Sequence, residues 1–511
     1  MSDWSSGYVV DVSYTHGFYK ELAPSHLSFA ALLQGFAAPG SGTEPLAYCE
    51  LGCGQGVTTN LLAAANPHIR FHAADFNPAH VAGARDLARA AGLTNVQFHE
   101  QSFAEFLDNR DLPEFDIVAL HGIYSWISPE NRRVIVRFLR EKLKPGGLAY
   151  VSYNAMPGWA PILPLRHLLN EYAQAQASGP ILRRVGESIA FMERLAEAEP
   201  RYFAVNPRAS EHFKDLKNRS RAYVAHEYFN RYFTPFFFAD MARDMAEAKL
   251  SWAASAAVLD NVDPVNLSPE QQKLLGTIDD IALRQTVRDH MVNQQFRRDI
   301  FLKGTAGLSR PALNERWLDT RFALVGPASA ATRTIRAPRG EIELQSEIYD
   351  PIVGALGEEA RTLRQLLEDP ALAKIGIGHV RQALVLLVAQ GACLPCLPAD
   401  GEPDRIAAAA AFNRTVAQRT GDGDDLAYLA SGVSGNGVRI DRMERLVWLA
   451  KREGAEDAAE FVRQSLQRAG HRLMREGKPV EDKDEVLAAI RASMETFGRE
   501  HEPVLARLGI R

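Results

Sequence analysis

Between residues 45 and 153 the apolar positions fall into short continuous runs separated by amphipathic stretches, a rhythm that predicts strands alternating with helices. Leu46-Ala-Tyr-Cys-Glu-Leu51 reads as a buried strand that breaks into Gly-Cys-Gly-Gln-Gly56, with a helix over 58–65 opening directly behind the glycines. Ile69-Arg-Phe-His-Ala-Ala-Asp75 is a second strand, followed by a helix over 78–91 that stops at Gly92. Val96-Gln-Phe-His-Glu100 is a third, with a short helix over 103–109, and Phe115-Asp-Ile-Val-Ala-Leu120 a fourth, with a helix over 131–143. The turn Lys144-Pro-Gly-Gly147 leads into a fifth strand, Leu148-Ala-Tyr-Val-Ser-Tyr153. Strands and helices at this spacing imply an α/β fold with a mainly parallel, doubly covered sheet.

Beyond Pro164 the pattern turns helical, interrupted at Pro200, Pro207, Pro235 and Pro264 and dense in aromatic residues from Tyr223 to Phe238. From about Arg310 short strands over 321–325 and 334–344 precede helices over 346–367 and 377–390, a mixture like a winged helix. The remainder reads as helices around the glycine-rich loop Ser431-Gly-Val-Ser-Gly-Asn-Gly437. The expected organisation is a lid segment over 1–44, a ligand-binding α/β domain over 45–164, a helical domain over 165–305, a winged-helix-like domain over 306–400 and a C-terminal helical domain over 401–511.

A chain of 511 residues, 46% apolar, has material for several cores, about three domains at roughly 150 residues each. Its 58 Lys+Arg against 63 Asp+Glu leave a net charge of −5, which weighs against a nucleic-acid partner; Arg321, Arg333, Arg336 and Arg339 form a local basic cluster. The four cysteines, Cys49, Cys53, Cys393 and Cys396, cannot frame a disulfide scaffold and point to a reducing compartment. Cys393-Leu-Pro-Cys396 has no second pair, so no metal is expected. The start lacks a secretory pattern, and the longest apolar run, 383–389, is about a third of the ~20 residues of a membrane helix, so a cytoplasmic protein with no membrane insertion is expected.

The chemistry centres on Glu50-Leu-Gly-Cys-Gly-Gln-Gly56 at a strand-to-helix turn. Glycines at 52, 54 and 56 allow a tight turn and close ligand approach, and Asp75, 19 residues after Gly56 at the end of the next strand, suits ribose hydroxyls. The spacing is shorter than Gly-x-Gly-x-x-Gly, and Glu50 would repel a pyrophosphate. A sulfonium carrying an ammonium group fits better.

These residues resemble the class I S-adenosylmethionine-dependent methyltransferases, whose first motif is an acid followed by Gly-x-Gly-x-Gly. Tyr14-Thr-His-Gly-Phe-Tyr-Lys-Glu-Leu-Ala-Pro24, His121-Gly-Ile-Tyr-Ser-Trp-Ile127, Tyr153-Asn-Ala-Met-Pro-Gly-Trp159, Ala225-His-Glu-Tyr-Phe-Asn230 and residues 236–240 further resemble the bacterial family with a methyltransferase regulatory domain. That family includes rickettsial outer-membrane-protein lysine methyltransferases. The resemblance implies a Rossmann-like sheet and S-adenosyl-L-methionine as cofactor, with Glu50, Gly52, Gly54 and Gly56 at its methionine end and Asp75 at its ribose. Phe76 would border the adenine, with Ser102 and Phe103 at its edge; Ser102 stands where many relatives carry Asp. Tyr14 and Tyr19 are placed to close the pocket as a lid, Tyr14 on the cofactor side and Tyr19 on the substrate side.

Methyl transfer is a direct displacement that needs alignment more than acid–base chemistry. His121, ending strand four, is a candidate cofactor contact or general base, and Tyr124 and Trp126 are candidates to hold a cation over a ring. Tyr153 and Asn154 end strand five at the ligand edge of the sheet, and Trp159 follows as a further substrate contact. Against these stand packing roles for Tyr124 and Trp126, a structural histidine, and a helical core rather than a cage for Tyr228, Tyr232 and Phe236. The leading expectation is N-methylation of a protein lysine. A small-molecule O- or N-methyltransferase comes next, and a regulatory protein that binds the cofactor without turnover is the third reading. The lack of an Asn/Asp-Pro-Pro-aromatic motif after strand four argues against amide and adenine acceptors. Oligomeric state stays open.

Overall fold

A computed structural model describes residues 17–304, 307–421, 426–475 and 478–511; Tyr14 lies outside the described residues. After helix α1 (Pro24–Leu33), the chain alternates β1 (Leu46–Leu51), α2 (Val57–Ala65), β2 (Ile69–Asp75), α3 (Pro78–Ala90), β3 (Val96–Glu100), α4 (Phe103–Asp108), β4 (Phe115–Leu120), α5 (Pro129–Lys142) and β5 (Leu143–Asn154). Local chemistry starts each helix. Asn77 caps α3 ahead of Pro78, Ser102 and Glu105 form a capping box on α4, and the Ser128 side chain accepts from the Asn131 N–H ahead of Pro129 on α5. Gly56 precedes α2 at φ +66°, and a Cβ there would stand 2.5 Å from the Ala84 Cβ, so this glycine lets α2 pack against α3.

The sheet has seven strands in the order β3-β2-β1-β4-β5-β7-β6, where β6 is Leu250–Ser255 and β7 is Phe296–Lys303. β1 to β5 pair in parallel, and β7 runs antiparallel between β5 and β6. This is the α/β, Rossmann-like sheet expected. Its last two strands come from the stretch expected to be helical, 165–305. β7 was obscured because it buries Arg297 and Asp299, which read as a polar segment. In the fold these charges neutralise one another: Arg297 Nε donates to Asp299 at 2.7 Å and the guanidinium also pairs with Asp289.

Between β5 and β6, helices α6 (Leu163–Ala175), α7 (Ile181–Glu197), α8 (Arg201–Val205), α9 (Pro207–Leu216) and α10 (Arg221–Tyr228) form a cap with its own core of Leu165, Leu169, Val185, Phe213, Val224 and Tyr228. Helix α11 (Phe238–Glu247) returns the chain to the sheet, where Met241 and Met245 join Phe106 and Phe138 under one face. The opposite face shares a continuous core with the C-terminal helices: Tyr48, Leu61 and Tyr150 belong to the same cluster as Phe412, Leu429, Val447 and Trp448. Residues 321–324, 361–362 and 393–396 form a small three-stranded antiparallel sheet under helices of the winged-helix-like stretch.

The glycine-rich loop at 431–437 is the turn of a hairpin between Tyr428–Ser431 and Asn436–Arg439. Its tip is buried against the α/β domain. Ser25 Oγ donates to the Ser434 carbonyl at 2.8 Å and Asn66 Nδ2 to the Gly435 carbonyl at 2.9 Å, so a segment near the C-terminus braces the back of α2.

Candidate active site

The carboxyl ends of β1, β2, β4 and β5 open into a cavity of about 530 Å³, within the size range of small-ligand sites. Of the expected residues it gathers Tyr19, Glu50, Gly52, Gly54, Gly56, Asp75, Phe76, Ser102, Phe103, His121, Trp126, Asn154 and Trp159.

Close packing shapes the floor. Gly52 has φ +74°, and a Cβ there would lie 2.4 Å from the Ile123 Cδ1, so this position has no room for a side chain unless Ile123 moves. Glu50 is 4% exposed; Thr59 Oγ1 donates to it, yet burial raises its carboxyl to about 7, with Asp75 adding repulsion. Asp75 accepts the Gly54 N–H at 2.9 Å on one oxygen and the Asn77 N–H at 2.9 Å on the other. It therefore holds the glycine loop in shape besides facing the cavity. Ser102 is engaged with Glu105 in its capping box while lining the rim.

His121 packs against Tyr19 with ring centroids 3.8 Å apart and the rings tilted by 31°, and the Tyr150 hydroxyl lies 2.8 Å from its Nδ1. Burial pushes the imidazole down to about 4, so it is neutral at pH 7 and a weak base. That weighs against His121 as a general base. Tyr19 itself is held by its N–H donating to Thr58 Oγ1 at 3.2 Å, which lays the segment before α1 across the start of α2 as a cover.

Two expected site residues are turned elsewhere. Successive side chains on a strand alternate in direction, so Tyr150, Ser152 and Asn154 share one face of β5 and Tyr153 takes the other. Tyr153 is buried with its hydroxyl donating to Asp299 at 2.6 Å, whereas Ser152 Oγ accepts the Gly122 N–H at 2.8 Å beneath the cavity. Tyr124 is likewise fully buried, its hydroxyl donating to Asp244 at 2.8 Å, while Trp126 on the same turn reaches the cavity.

The outer part of the cavity belongs to the cap. Trp126 and Trp159 both pack on Phe233, with centroids 4.6 Å and 4.7 Å away. His212, Tyr223, Glu227 and Tyr228 complete the wall, and Gln295 and Phe296 enter from the start of β7. Tyr228 thus serves both the cap core and the cavity, so the core-or-cage alternative has no single answer for it. The expectation had missed Glu227, although it stands inside the quoted Ala225-His-Glu-Tyr-Phe-Asn230 segment; a lone acid within an aromatic run was the available signal.

The described residues lining the cavity include three carboxyl groups, Glu50, Asp75 and Glu227, and no lysine or arginine. Such a wall suits a ligand that carries positive charge and disfavours a diphosphate. A sulfonium nucleoside with an ammonium group fits this donor set: acids at the ends of β1 and β2, with glycines at 52, 54 and 56 in the turn after β1. The basic cluster noted in the sequence is not a free patch, because Arg321 pairs with Glu402, Arg333 with Asp350 and Arg336 with Glu341. Among the described residues no group of three His, Cys, Asp or Glu is placed to hold a metal ion, and no helix is long and apolar enough to cross a membrane.

Known proteins agree with this class of site. Residues 49–149 match the family described as a methyltransferase domain, and residues 220–303 match the predicted methyltransferase regulatory domain. An uncharacterized protein of Synechocystis sp. is 41% identical over 99% of both chains, and one from Rickettsia prowazekii is 25% identical over 60% of this chain and 54% of its own length. The fold is shared with PKMT2 from Rickettsia typhi, solved in complex with AdoHcy, at a TM-score of 0.70 and 18% identity over 95% of this chain and 98% of that one. The chain belongs to the class I S-adenosylmethionine-dependent methyltransferases that carry a methyltransferase regulatory domain. It is an enzyme, and S-adenosylmethionine is its cofactor.

Proposed function

We propose that the enzyme methylates the side-chain nitrogen of lysine in a protein. The observation that carries this reading is the cavity wall: it holds the carboxyl groups of Glu50, Asp75 and Glu227, has no lysine or arginine among its described residues, and is aromatic where the cap closes it with Trp126, Trp159 and Tyr228. A lysine amine arrives as a cation on an apolar stem, and rings plus a carboxyl group are the surfaces that accept both parts. The structural likeness to PKMT2 of Rickettsia typhi is consistent with it.

In this reading Glu50 meets the ammonium of the methionine end, the turn at Gly52 and Gly54 lets that end approach the backbone, and Asp75 meets the ribose hydroxyls. Phe76, Ser102 and Phe103 border the base. The cofactor supplies an electrophilic methyl group. The protein aligns the acceptor nitrogen with it, excludes water behind Tyr19, and keeps His121 neutral so that no second cation competes for the acidic wall. The enzyme is proposed to act in the cytoplasm, where S-adenosylmethionine is made.

The test is incubation of the purified full-length chain with methyl-labelled S-adenosylmethionine and cell lysate, followed by acid hydrolysis of the protein fraction. Label in methylated lysine is the expected result. Label confined to small molecules overturns the lysine reading in favour of a small-molecule acceptor.

A further inference from the structure

Glu227 lies on α10, within the regulatory-domain match, yet it lines the same cavity as Glu50 and Asp75. Its carboxyl makes no hydrogen bond or ion pair with any described residue. The titratable groups around it are Arg166 from α6, Arg219 from the turn before α10, His212 from α9, and Tyr223 and Tyr228 on its own helix. None of them occupies its carboxylate. Arg166, the nearest cation, donates to the Asn230 carbonyl at 2.8 Å and stacks 4.5 Å over the Phe233 ring. Tyr228 is committed to His212, which burial keeps neutral. A half-buried acid with no protein partner, facing an aromatic chamber, is open to a cationic ligand.

We propose that Glu227 binds the ammonium group of the acceptor and takes its proton before methyl transfer. The proposal rests on the amine-acceptor reading above and adds the group that makes the amine nucleophilic. The ammonium gives one proton to a Glu227 oxygen. The freed nitrogen lone pair forms the new C–N bond while the C–S bond breaks, its electron pair remaining on sulfur, and the product leaves as a methylated ammonium. Glu227 then returns its proton to water. Burial suits the residue to this task by raising its carboxyl to about 7, opposed by Arg166. Against a lysine amine near 10.4, that narrows the uphill proton transfer from about six powers of ten for an ordinary glutamate to about three.

The experiment compares the wild-type full chain with Glu227→Gln and Glu227→Asp. Each is saturated with S-adenosylhomocysteine and titrated with Nα-acetyl-lysine amide and, separately, with the uncharged Nα-acetyl-norleucine amide at pH 8; separate samples free of S-adenosylhomocysteine are assayed for methyl transfer to a lysine peptide from pH 5.5 to 9, with S-adenosylmethionine saturating at every pH so that Glu50 does not enter the profile. The wild type is expected to prefer the lysine compound at least tenfold and to show a rate that rises up to about pH 7 and then levels. Glu227→Gln loses both the preference and the break while keeping its affinity for S-adenosylhomocysteine; Glu227→Asp retains both in weaker form. A lysine preference and pH break that survive in Glu227→Gln overturn the role of Glu227 and leave the amine reading intact. No lysine preference in the wild type overturns the amine reading, and this proposal with it.

Discussion

Glu50→Gln separates what the active site needs from what the fold would choose. Glu50 is buried at the end of β1, and its carboxyl sits at about 7 instead of its ordinary 4.5. Burial disfavours the anion only in the folded chain, so the unfolded chain gives up this proton at lower pH. Folding stability is therefore unaffected below about 4.5, falls as pH rises, and carries the full penalty above about 7. That penalty is about 3 kcal/mol at 1.36 kcal/mol per pKa unit. Glutamine keeps the shape and an oxygen for the Thr59 hydroxyl but cannot ionise. Whatever its amide contributes is the same at every pH, so the measured quantity is the change in the stability difference between pH 5 and pH 8. Denaturant unfolding of the ligand-free chain, followed by tryptophan fluorescence, should show the variant gaining roughly 2–3 kcal/mol on the wild type over that interval. S-adenosylmethionine affinity should move the other way. It is expected to rise with pH in the wild type, as the carboxylate proposed to meet the ammonium forms, and to be low and flat in the variant. A stability difference that does not change with pH would refute the reasoning, because it would mean that Glu50 titrates as an exposed carboxyl.

Three further outcomes follow from the geometry. Asp75→Asn should lower S-adenosylhomocysteine affinity about 30-fold or more, read by calorimetry, because one amide-holding oxygen of the glycine loop is replaced as well as the proposed ribose acceptor. Gly52→Ala places a Cβ against Ile123 at φ +74° and should abolish measurable cofactor binding; Ile123→Ala in the same chain relieves the clash but not the backbone strain of about 1–2 kcal/mol, so binding returns only in part. Tyr124→Phe should cost about 1–2 kcal/mol of stability through the lost bond to Asp244 and leave cofactor affinity unchanged, whereas a large loss of affinity would return Tyr124 to the site.

The five strands and the glycine turn were legible because each shows in residues close together in sequence: apolar runs, caps such as Asn77 and Ser102, and the closely spaced glycines themselves, although the side chains that Gly52 and Gly56 make room for, Ile123 and Ala84, lie far along the chain. The choice between Tyr153 and its neighbours was also open to a period-of-two argument, since Asn154 and Tyr153 cannot face the same way on one strand. β6 and β7 were not legible. The charges of β7, Arg297 and Asp299, are tolerable in a central strand because they pair with one another and with the nearby Asp289, and because the Tyr153 hydroxyl and the Trp252 indole N–H reach Asp299 from distant parts of the chain. The hairpin around 431–437 was recognised as glycine-rich but read as a loop, because the partners that bury it, Ser25 and Asn66, lie some 400 positions earlier in the chain.

The identity of the cofactor class was thus written in a local pattern, an acid and three glycines followed by a second acid, where backbone conformation and charge at one turn exclude the alternatives. The proposed acceptor side is assembled by tertiary structure alone. Trp126 from the loop after β4, Trp159 from the loop after β5 and Glu227 from α10 belong to separate segments, and each is also compatible with ordinary packing. Only the closure of the cap over the sheet edge brings those rings and that carboxyl group around one cavity. Burial there sets the charge of Glu227, which no local stretch of sequence encodes.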